Sequence, residues 1–477
     1  MTDDFRDKSY WLTTREYEPG TTLEGAIEVD VAIVGGGFTG LSAAHHLKRA
    51  DPDLTIALLE SQVIGFGASG RNGGFNMTLF GLTLSITALR FGKDGAREAH
   101  LYMERAVDTT HDLISDLAID CDYEHPGFLR VATSAKYRDR ILHEIDVAHS
   151  LGLEGIEWIG REEVQGRVAS PLYLGAWWEP RCGLLNPAKL SWGWKDVVVG
   201  QGVQVFEGTP VVEMERSGDG IRLDTPDGRV LADKVVLATN AYSHLIPQLK
   251  RKQVPAWTHI VLTEPIVDER LDAIGWRGRE GIEDARNLVH YYRLTADNRL
   301  LMGGRDVSIR YGADMEGDLN DQVFSDLERD VIQTFPSLGG IDFTHRWGGP
   351  VSVTLDMAPA LGFLGDERVV YSLGCMGHGV SMTHLNGATV ADLILGRKTD
   401  LTDVFFVNRR TLPWPPEPIR TLAAQAIRGY MRWEDRRFDP TRPPALCGLG
   451  GLGAWGHGGL TRPRRPPLVL RLRLDRH

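Results

Sequence analysis

Cysteine is scarce: the 477 residues hold four, Cys121, Cys182, Cys375 and Cys447, and none forms a CxxC pair. Such scatter argues against a disulfide framework and against a cysteine zinc site, and it fits a reducing compartment, so a cytoplasmic location is expected. Long apolar runs are missing too. Nothing approaches the ~18 consecutive apolar residues of a membrane helix, and the opening MTDDFRDKSYWLTT has no apolar segment of the kind a secretory signal needs. No membrane span is therefore expected. Positive charge is in deficit, with 53 Lys and Arg against 64 Asp and Glu and a net charge of −11, which disfavours non-specific nucleic-acid binding. The deficit is uneven: residues 440–477 carry seven arginines and one aspartate, a local +6 that leaves −17 on the rest. That stretch is rich in Gly, Pro and Arg and has no helix or strand period. A disordered basic tail is expected there, because such a composition cannot bury enough apolar surface to order itself.

The length allows about two to three domains. Near the start, the β-branched run Val29–Val34 ends in GGGFTG, a helical pattern follows over Leu41–Ala50, and the short strand Leu54–Leu59 ends at Glu60. This is β–turn–α–β with GxGxxG at Gly35, Gly37 and Gly40 and an acid twenty residues beyond the last glycine. Gly35 makes the tight turn, Gly37 lets backbone amides approach a pyrophosphate, and Gly40 lets helix pack on strand; Phe38 and Thr39 between them belong to the same turn. The helix N-terminus offers partial positive charge to phosphates, and Glu60 accepts from ribose hydroxyls. A dinucleotide site is expected.

Two later stretches separate NAD from FAD. Lys234–Tyr242, KVVLATNAY, is a buried strand running into a small-residue turn at Ala238 and Thr239; Val211, upstream of it, is counted with the same contacts. Arg368–Gly379, RVVYSLGCMGHG, is another strand ending in glycines, followed by the helix Asn386–Leu395. Three strand ends separated by long insertions suggest one extended cofactor, FAD, crossing a discontinuous domain. No second GxGxxG follows a strand, so no built-in NAD(P)H site is visible. The segment after Glu60, GFGASGRNGGF at 65–75, has five glycines and no apolar period. Its amides can bond a pyrophosphate or ring carbonyls where a Cβ would clash, with Ser69, Arg71 and Asn72 as donors beside the ring.

Taken together, the fingerprint, ASGRNGG at 68–74, ATNAY at 238–242 and GCMGHG at 374–379 resemble the D-amino-acid-oxidase-like family of FAD-dependent amine oxidoreductases. Ser9-Tyr-Trp11, TEP at 263–265 and YYRLTADNRLLMGGRD at 291–306 have the cast of its γ-glutamylputrescine oxidoreductase group. The likeness covers about residues 8–435. It implies that Ala68, Ser69, Arg71, Asn72, Gly73 and Gly74 run along the cofactor towards the isoalloxazine ring. It also implies that the turn with Gly374, Met376, Gly377, His378 and Gly379 aims partial positive charge at the ring's N1–C2=O edge. Cys375, between glycines with no base beside it, reads as packing. Sarcosine-oxidase-like members attach flavin through a cysteine on the strand before this turn; His345–Ser352 has none, so noncovalent FAD is expected. Members that reduce oxygen efficiently often carry a lysine above the ring. Leu300–Met302 lacks one, which leaves the electron acceptor as oxygen or another carrier.

The expected fold is α/β: a Rossmann-like FAD-binding domain from residues 26–79, 191–250 and 346–400, with an inserted α+β substrate domain built on an antiparallel sheet from 80–190 and 251–345. Residues 401–439 form a C-terminal helical extension. Ala96–Leu117 has helical spacing, and Leu288–Leu294 alternates as a strand. That alternation puts His290, Tyr292 and Leu294 on one face and Val289, Tyr291 and Arg293 on the other. His290 and Tyr292, with Arg71, are the candidate catalytic residues; His259 is a second candidate base, Trp177, Trp178 and Tyr292 are candidate walls, and an arginine of this sheet is a candidate carboxylate clamp. The expected reaction is oxidation of an amine C–N bond by hydride transfer to flavin N5, giving an imine that hydrolyses to an aldehyde. The small-molecule amine is expected to be γ-glutamylputrescine-like, in polyamine catabolism. An α-amino or N-methyl amino acid of the sarcosine or glycine type is the alternative substrate, and a flavoprotein subunit of a larger complex is the other reading.

Overall fold

Strand Gly25–Val34 begins exposed and ends fully buried, and its last four residues explain the sheet it enters. Val31 and Ile33 pack to one side with Ile56 and Leu58, while Ala32 and Val34 pack to the other with Ala57 and Leu59. Both faces are covered, so the strands read as unbroken apolar runs rather than alternating ones. The computed structural model describes residues 4–439 and the strand Arg471–Arg473.

Five parallel strands form the centre of the first sheet, in the order Val369–Leu373, Gly228–Leu237, Gly25–Val34, Ile56–Leu59, Gln204–Phe206. A hairpin of Glu213–Ser217 and Gly220–Asp224 pairs antiparallel with the first half of Gly228–Leu237, and Ala360–Phe363 pairs antiparallel with Val369–Leu373. Helices Phe38–Ala50, Pro187–Gly200 and Gly379–Ile394 cover one face, with the helical stretch Leu84–Asp116, kinked at Gly92, behind them. This is a Rossmann-like domain assembled from distant pieces of chain.

The second sheet has eight strands in the order Phe343–Val353, Val254–Pro265, Arg299–Ser308, His290–Leu294, Gly281–Asp284, Phe128–Val131, Gly175–Glu179, Glu157–Gly160. All neighbours are antiparallel except Gly281–Asp284 with Phe128–Val131. One face is packed by Val323, Phe324, Leu327 and Val331 of the amphipathic helix Asp321–Thr334. The other looks towards the first domain. Strand Phe343–Val353 runs in this sheet to its last residue, pairing Val353 with Val254. It therefore overrides the boundary expected at residue 346: the ladder of Val254–Pro265 recruits the strand before the chain returns to the first sheet.

Helix Ile419–Arg437 docks beside the second sheet. Asp435 accepts bonds from the Tyr137 hydroxyl at 3.1 Å and from the amides of Asn287 and Leu288, each at 2.9 Å. The expected disordered tail lies outside the described residues except for Arg471–Arg473, which departs from it. Those residues pair in parallel with Glu213–Glu215, whose outer backbone groups would otherwise be an open sheet edge. Among the described residues no helix is long and apolar enough to cross a membrane.

Candidate active site

The strand Gly25–Val34 delivers the chain into its glycine turn at full extension, and the turn is sterically closed. Gly35 has φ +113°, and a Cβ there would lie 2.6 Å from the Ala238 carbonyl oxygen. Only glycine satisfies both conditions. Gly37 caps helix Phe38–Ala50 without a side-chain bond of its own, and Gly40 packs directly against the Gly35 backbone. The first amides of this helix lack intrahelical acceptors by geometry. Glu60, at the end of Ile56–Leu59, accepts from the Gly36 amide at 2.8 Å and from the Gln62 amide at 2.9 Å. Burial pushes its carboxyl upwards, against these bonds. Thr209 donates its amide to the Glu60 carbonyl at 2.8 Å, bringing the chain near Val211 alongside.

The glycine-rich segment after Glu60 is held by its neighbours rather than loose. Trp11 Nε1 donates to the Asn72 carbonyl at 2.9 Å, Ser9 Oγ to Gly70 at 2.7 Å and Trp347 Nε1 to Arg71 at 2.8 Å. Asn72 shapes the loop from within. Its amide nitrogen donates to the Ala68 carbonyl at 3.0 Å and its oxygen accepts from the Gly74 amide at 2.8 Å, so its donor is engaged within the loop and not free beside a ring. Ser69 Oγ accepts the Phe38 amide at 3.1 Å, coupling the loop to the helix N-terminus. Arg71 is buried at 3% exposure. Its Nε donates to the Phe66 carbonyl at 2.8 Å and the guanidinium lies over the Phe66 ring. Among the described residues no carboxylate pairs with it, and burial draws its pKa down. A buried cation without a counter-charge calls for an anionic or electron-rich ligand.

A cavity of about 600 Å³ opens beside this loop. Phe38, Ala68, Ser69, Arg71, Asn72 and Gly73 form one side, and Met376, Gly377, His378 and Gly379 another. Gly35, Gly37, Thr39, Gly40, Glu60, Gly74, Val211, Ala238, Thr239 and Gly374 stand back from this lining. His378 caps helix Gly379–Ile394 without a side-chain bond. Its Nδ1 is buried with no partner, and burial pulls its pKa down to about 4. Cys375 is packed against Asn240, and burial pushes its thiol up. The glycine turn, the orphaned His378 nitrogen and the unpaired Arg71 fit an elongated, anionic, polar-edged cofactor such as FAD.

The sheet face towards the cavity is the reverse of the one expected to act. His290 Nδ1 and Nε2 lie 2.9 Å from Asp284 and from Asp330, respectively, and Arg286 and Arg305 join the same cluster. Burial opposes its charge, but the carboxylates win and raise its pKa. His290 is therefore locked between two carboxylates outside the cavity lining and is not placed to serve as the base. Tyr292 bonds the Tyr173 hydroxyl at 2.7 Å and packs against Trp276 and Phe335 in the core. Neither residue lines the cavity; Val289 and Tyr291 do. Tyr291 faces Gly303 across the ladder, and any Cβ on Gly303 would run into its ring. That missing side chain in MGGRD is the signal that decides the face.

Other assignments shift for similar reasons. Arg293 is an internal tether, not a carboxylate clamp: its Nη1 donates to the carbonyls of Leu185 at 2.7 Å and Gly74 at 3.2 Å, and burial draws its pKa down to about 10. His259 Nε2 bonds the Gly317 carbonyl at 3.0 Å, and its ring is packed on Phe324 away from the lining. Trp177 lines the cavity, whereas Trp178 stacks under Arg167. Residues not anticipated are Arg130, Glu283, Arg140 and Arg428, the last from the C-terminal helix, all in the lining. Arg130 and Glu283 sit on strands whose polar positions alone do not announce a cavity.

Similarity to known proteins agrees with this geometry. The chain is 34% identical to γ-glutamylputrescine oxidoreductase of Escherichia coli (strain K12) over 389 residues, covering 81% of this chain and 88% of that protein. It is 24% identical to sarcosine oxidase subunit beta of Rhodobacter capsulatus, covering 80% and 88%. Among solved structures, glycine oxidase from Geobacillus kaustophilus superposes with TM-score 0.66 at 21% identity, over 80% of this chain and 99% of that one. L-proline dehydrogenase from P. horikoshii follows with TM-score 0.65 at 21% identity, over 80% and 96%. Residues 30–393 match the DAO family, FAD dependent oxidoreductase: the chain belongs to that family and is an FAD-dependent oxidoreductase.

Proposed function

We propose that the protein oxidises a primary or secondary amine carrying a carboxylate remote from the reacting nitrogen, of the γ-glutamylputrescine type, to an imine that hydrolyses to an aldehyde. The observation that carries this reading is the cavity wall. Apolar side chains such as Leu79, Met376, Trp177 and Tyr291 lie in it together with the arginines Arg130, Arg140 and Arg428. Apolar surroundings disfavour an ammonium ion and so favour the neutral amine, the only form with a lone pair to drive oxidation. The arginines suit an acidic group elsewhere on the same molecule. Similarity to the Escherichia coli γ-glutamylputrescine oxidoreductase supports the same substrate class.

Arg71 and the amides of residues 376–379 would contact the flavin, and Glu60 and the Gly35–Gly40 turn would hold its ribose and phosphates. Bound FAD supplies the two-electron acceptor for the carbon–nitrogen bond. Tyr291 and Trp177 exclude water and orient the amine. The lack of a cysteine in His345–Ser352 supports noncovalent binding of the cofactor.

An anaerobic screen of the yellow holoprotein tests the reading. γ-Glutamylputrescine should bleach the flavin, with an aldehyde as product, while putrescine, sarcosine and D-amino acids should do so far more slowly. Faster bleaching by sarcosine or an α-amino acid would replace this substrate class with the alternative one. Bleaching that appears only after a partner protein is added would point to a subunit of a complex.

A further inference from the structure

Four neighbouring strands each contribute one residue to a single row across the cavity-facing side of the antiparallel sheet. Trp177 stands opposite Arg130, Arg130 opposite Glu283, and Glu283 opposite Tyr291. All four line the cavity. Positions one residue along each strand, Leu129, Ile282 and Tyr292, belong to the core on the far side, as the two-residue period of a strand requires.

An ion pair thus lies side by side between two aromatic rings. Arg130 Nη2 donates to Glu283 Oε1 at 2.8 Å, and the Glu283 side chain is 6% exposed. The pair is incompletely satisfied, because Arg130 Nε is buried with no partner. A buried ion pair with an unused donor is a poor device for stability, since desolvation offsets its attraction. Neither the glycine turns nor the C-terminal helix uses it.

Its chemistry matches one kind of ligand. A carboxylate bonds the free edge of a guanidinium, and an ammonium bonds a carboxylate; a group bearing both, one carbon apart, is an α-amino acid head. The flanking rings of Trp177 and Tyr291 offer apolar cover for its stem. Resting on the reading that this cavity receives the substrate, we propose that Arg130 and Glu283 bind the zwitterionic α-amino-acid end of that substrate. Arg130 takes the carboxylate and Glu283 the ammonium, leaving the far amine free to react. The protein thereby selects against simple diamines, which lack the carboxylate, and against dicarboxylates, which lack the ammonium.

Calorimetric titration of the holoprotein tests the assignment with three stable probes: γ-glutamylmethylamide, the same molecule without its ammonium, and the same molecule without its carboxylate. The intact zwitterion should bind at least about tenfold tighter than either analogue, as expected for one charge-assisted hydrogen bond. In Arg130→Met the zwitterion should fall to the affinity of the decarboxylated probe, and in Glu283→Gln to that of the deaminated one. Equal binding of the three probes by the unmodified protein overturns the proposal, and so does a preference that survives both substitutions. If a substitution prevents folding, the comparison in the unmodified protein decides. Probes bound alike while γ-glutamylputrescine still bleaches the flavin would remove this inference and leave the proposed function standing. Discrimination among the probes without bleaching would do the reverse.

Discussion

Arg428 Nε donates to Asp306 Oδ1 at 2.8 Å, joining the C-terminal helix to strand Arg299–Ser308 at the edge of the cavity. Arg432, one turn further on, reaches the same carboxylate. Burial works against the charge of Asp306, but the two arginines hold its carboxyl below the usual range. Because Ile427, Arg428 and Met431 line the cavity, this pair fixes a wall of the site from beyond the family match, which ends at residue 393.

Substituting Asp306→Ala should loosen that wall. The loss is about 2 kcal/mol, the scale of hydrogen bonds to a charged group. Limited proteolysis should then cut before residue 419, and KM should rise about tenfold while FAD content stays constant. An unchanged KM would mean that the helix does not bound the substrate site.

Gly35→Ala should weaken cofactor binding. The φ of +113° and the Ala238 carbonyl leave no room for a Cβ, so the turn must shift. Strain of ~1–3 kcal/mol weakens FAD binding by roughly fivefold to 150-fold. Equilibrium titration of the apoprotein with FAD measures this, with Gly36→Ala unsuitable as a control because Ile64 and Glu60 crowd that position as well.

His290→Gln should destabilise without touching the chemistry. The folded-state pKa of His290 is raised above its free value, so its contribution is fully present below pH ~6.5 and is lost as pH rises through the raised value. Breaking a buried charged cluster costs about 3 kcal/mol. Melting experiments should therefore show a larger loss at pH 6 than at pH 9, and the flavin spectrum and the pH profile of kcat should be unaltered. A displaced kcat profile would restore His290 as a participant.

How much of this was legible beforehand follows from how local each signal is. The Gly35–Glu60 unit was readable because a short stretch of chain contains the whole motif, and its turn forms as expected. The two faces of Leu288–Leu294 were also readable from alternation. Which face meets the cavity was not, because it depends on Gly303 opposite Tyr291 and on Asp330 opposite His290, contacts made with other strands and a helix. Asn72 resembled a ligand donor for the same reason: its partners, Ala68 and Gly74, are local in sequence, but the loop conformation that joins them is imposed by Trp11 and Trp347. The wall from Ile419–Arg437 was hidden because its apolar residues face outward as well as inward. Leu422, Tyr430 and Trp433 are exposed, so no clean periodic stripe marks the docking side.

Arg71→Met should separate cofactor binding from stability. Burial of an unpaired guanidinium costs the apoprotein free energy, and methionine removes that cost while forfeiting one bond to Phe66. Apoprotein melting should thus change little, whereas FAD affinity should fall about tenfold. A large drop in apoprotein stability with unchanged FAD affinity would make Arg71 a structural residue.

The most direct measurement is the visible absorption spectrum of the purified chain, taken with the flavin it releases on denaturation. The expected result is a yellow protein holding one FAD per chain, released intact because no bond joins it to the polypeptide. A protein that is colourless, and stays so after mixing with FAD, would contradict it.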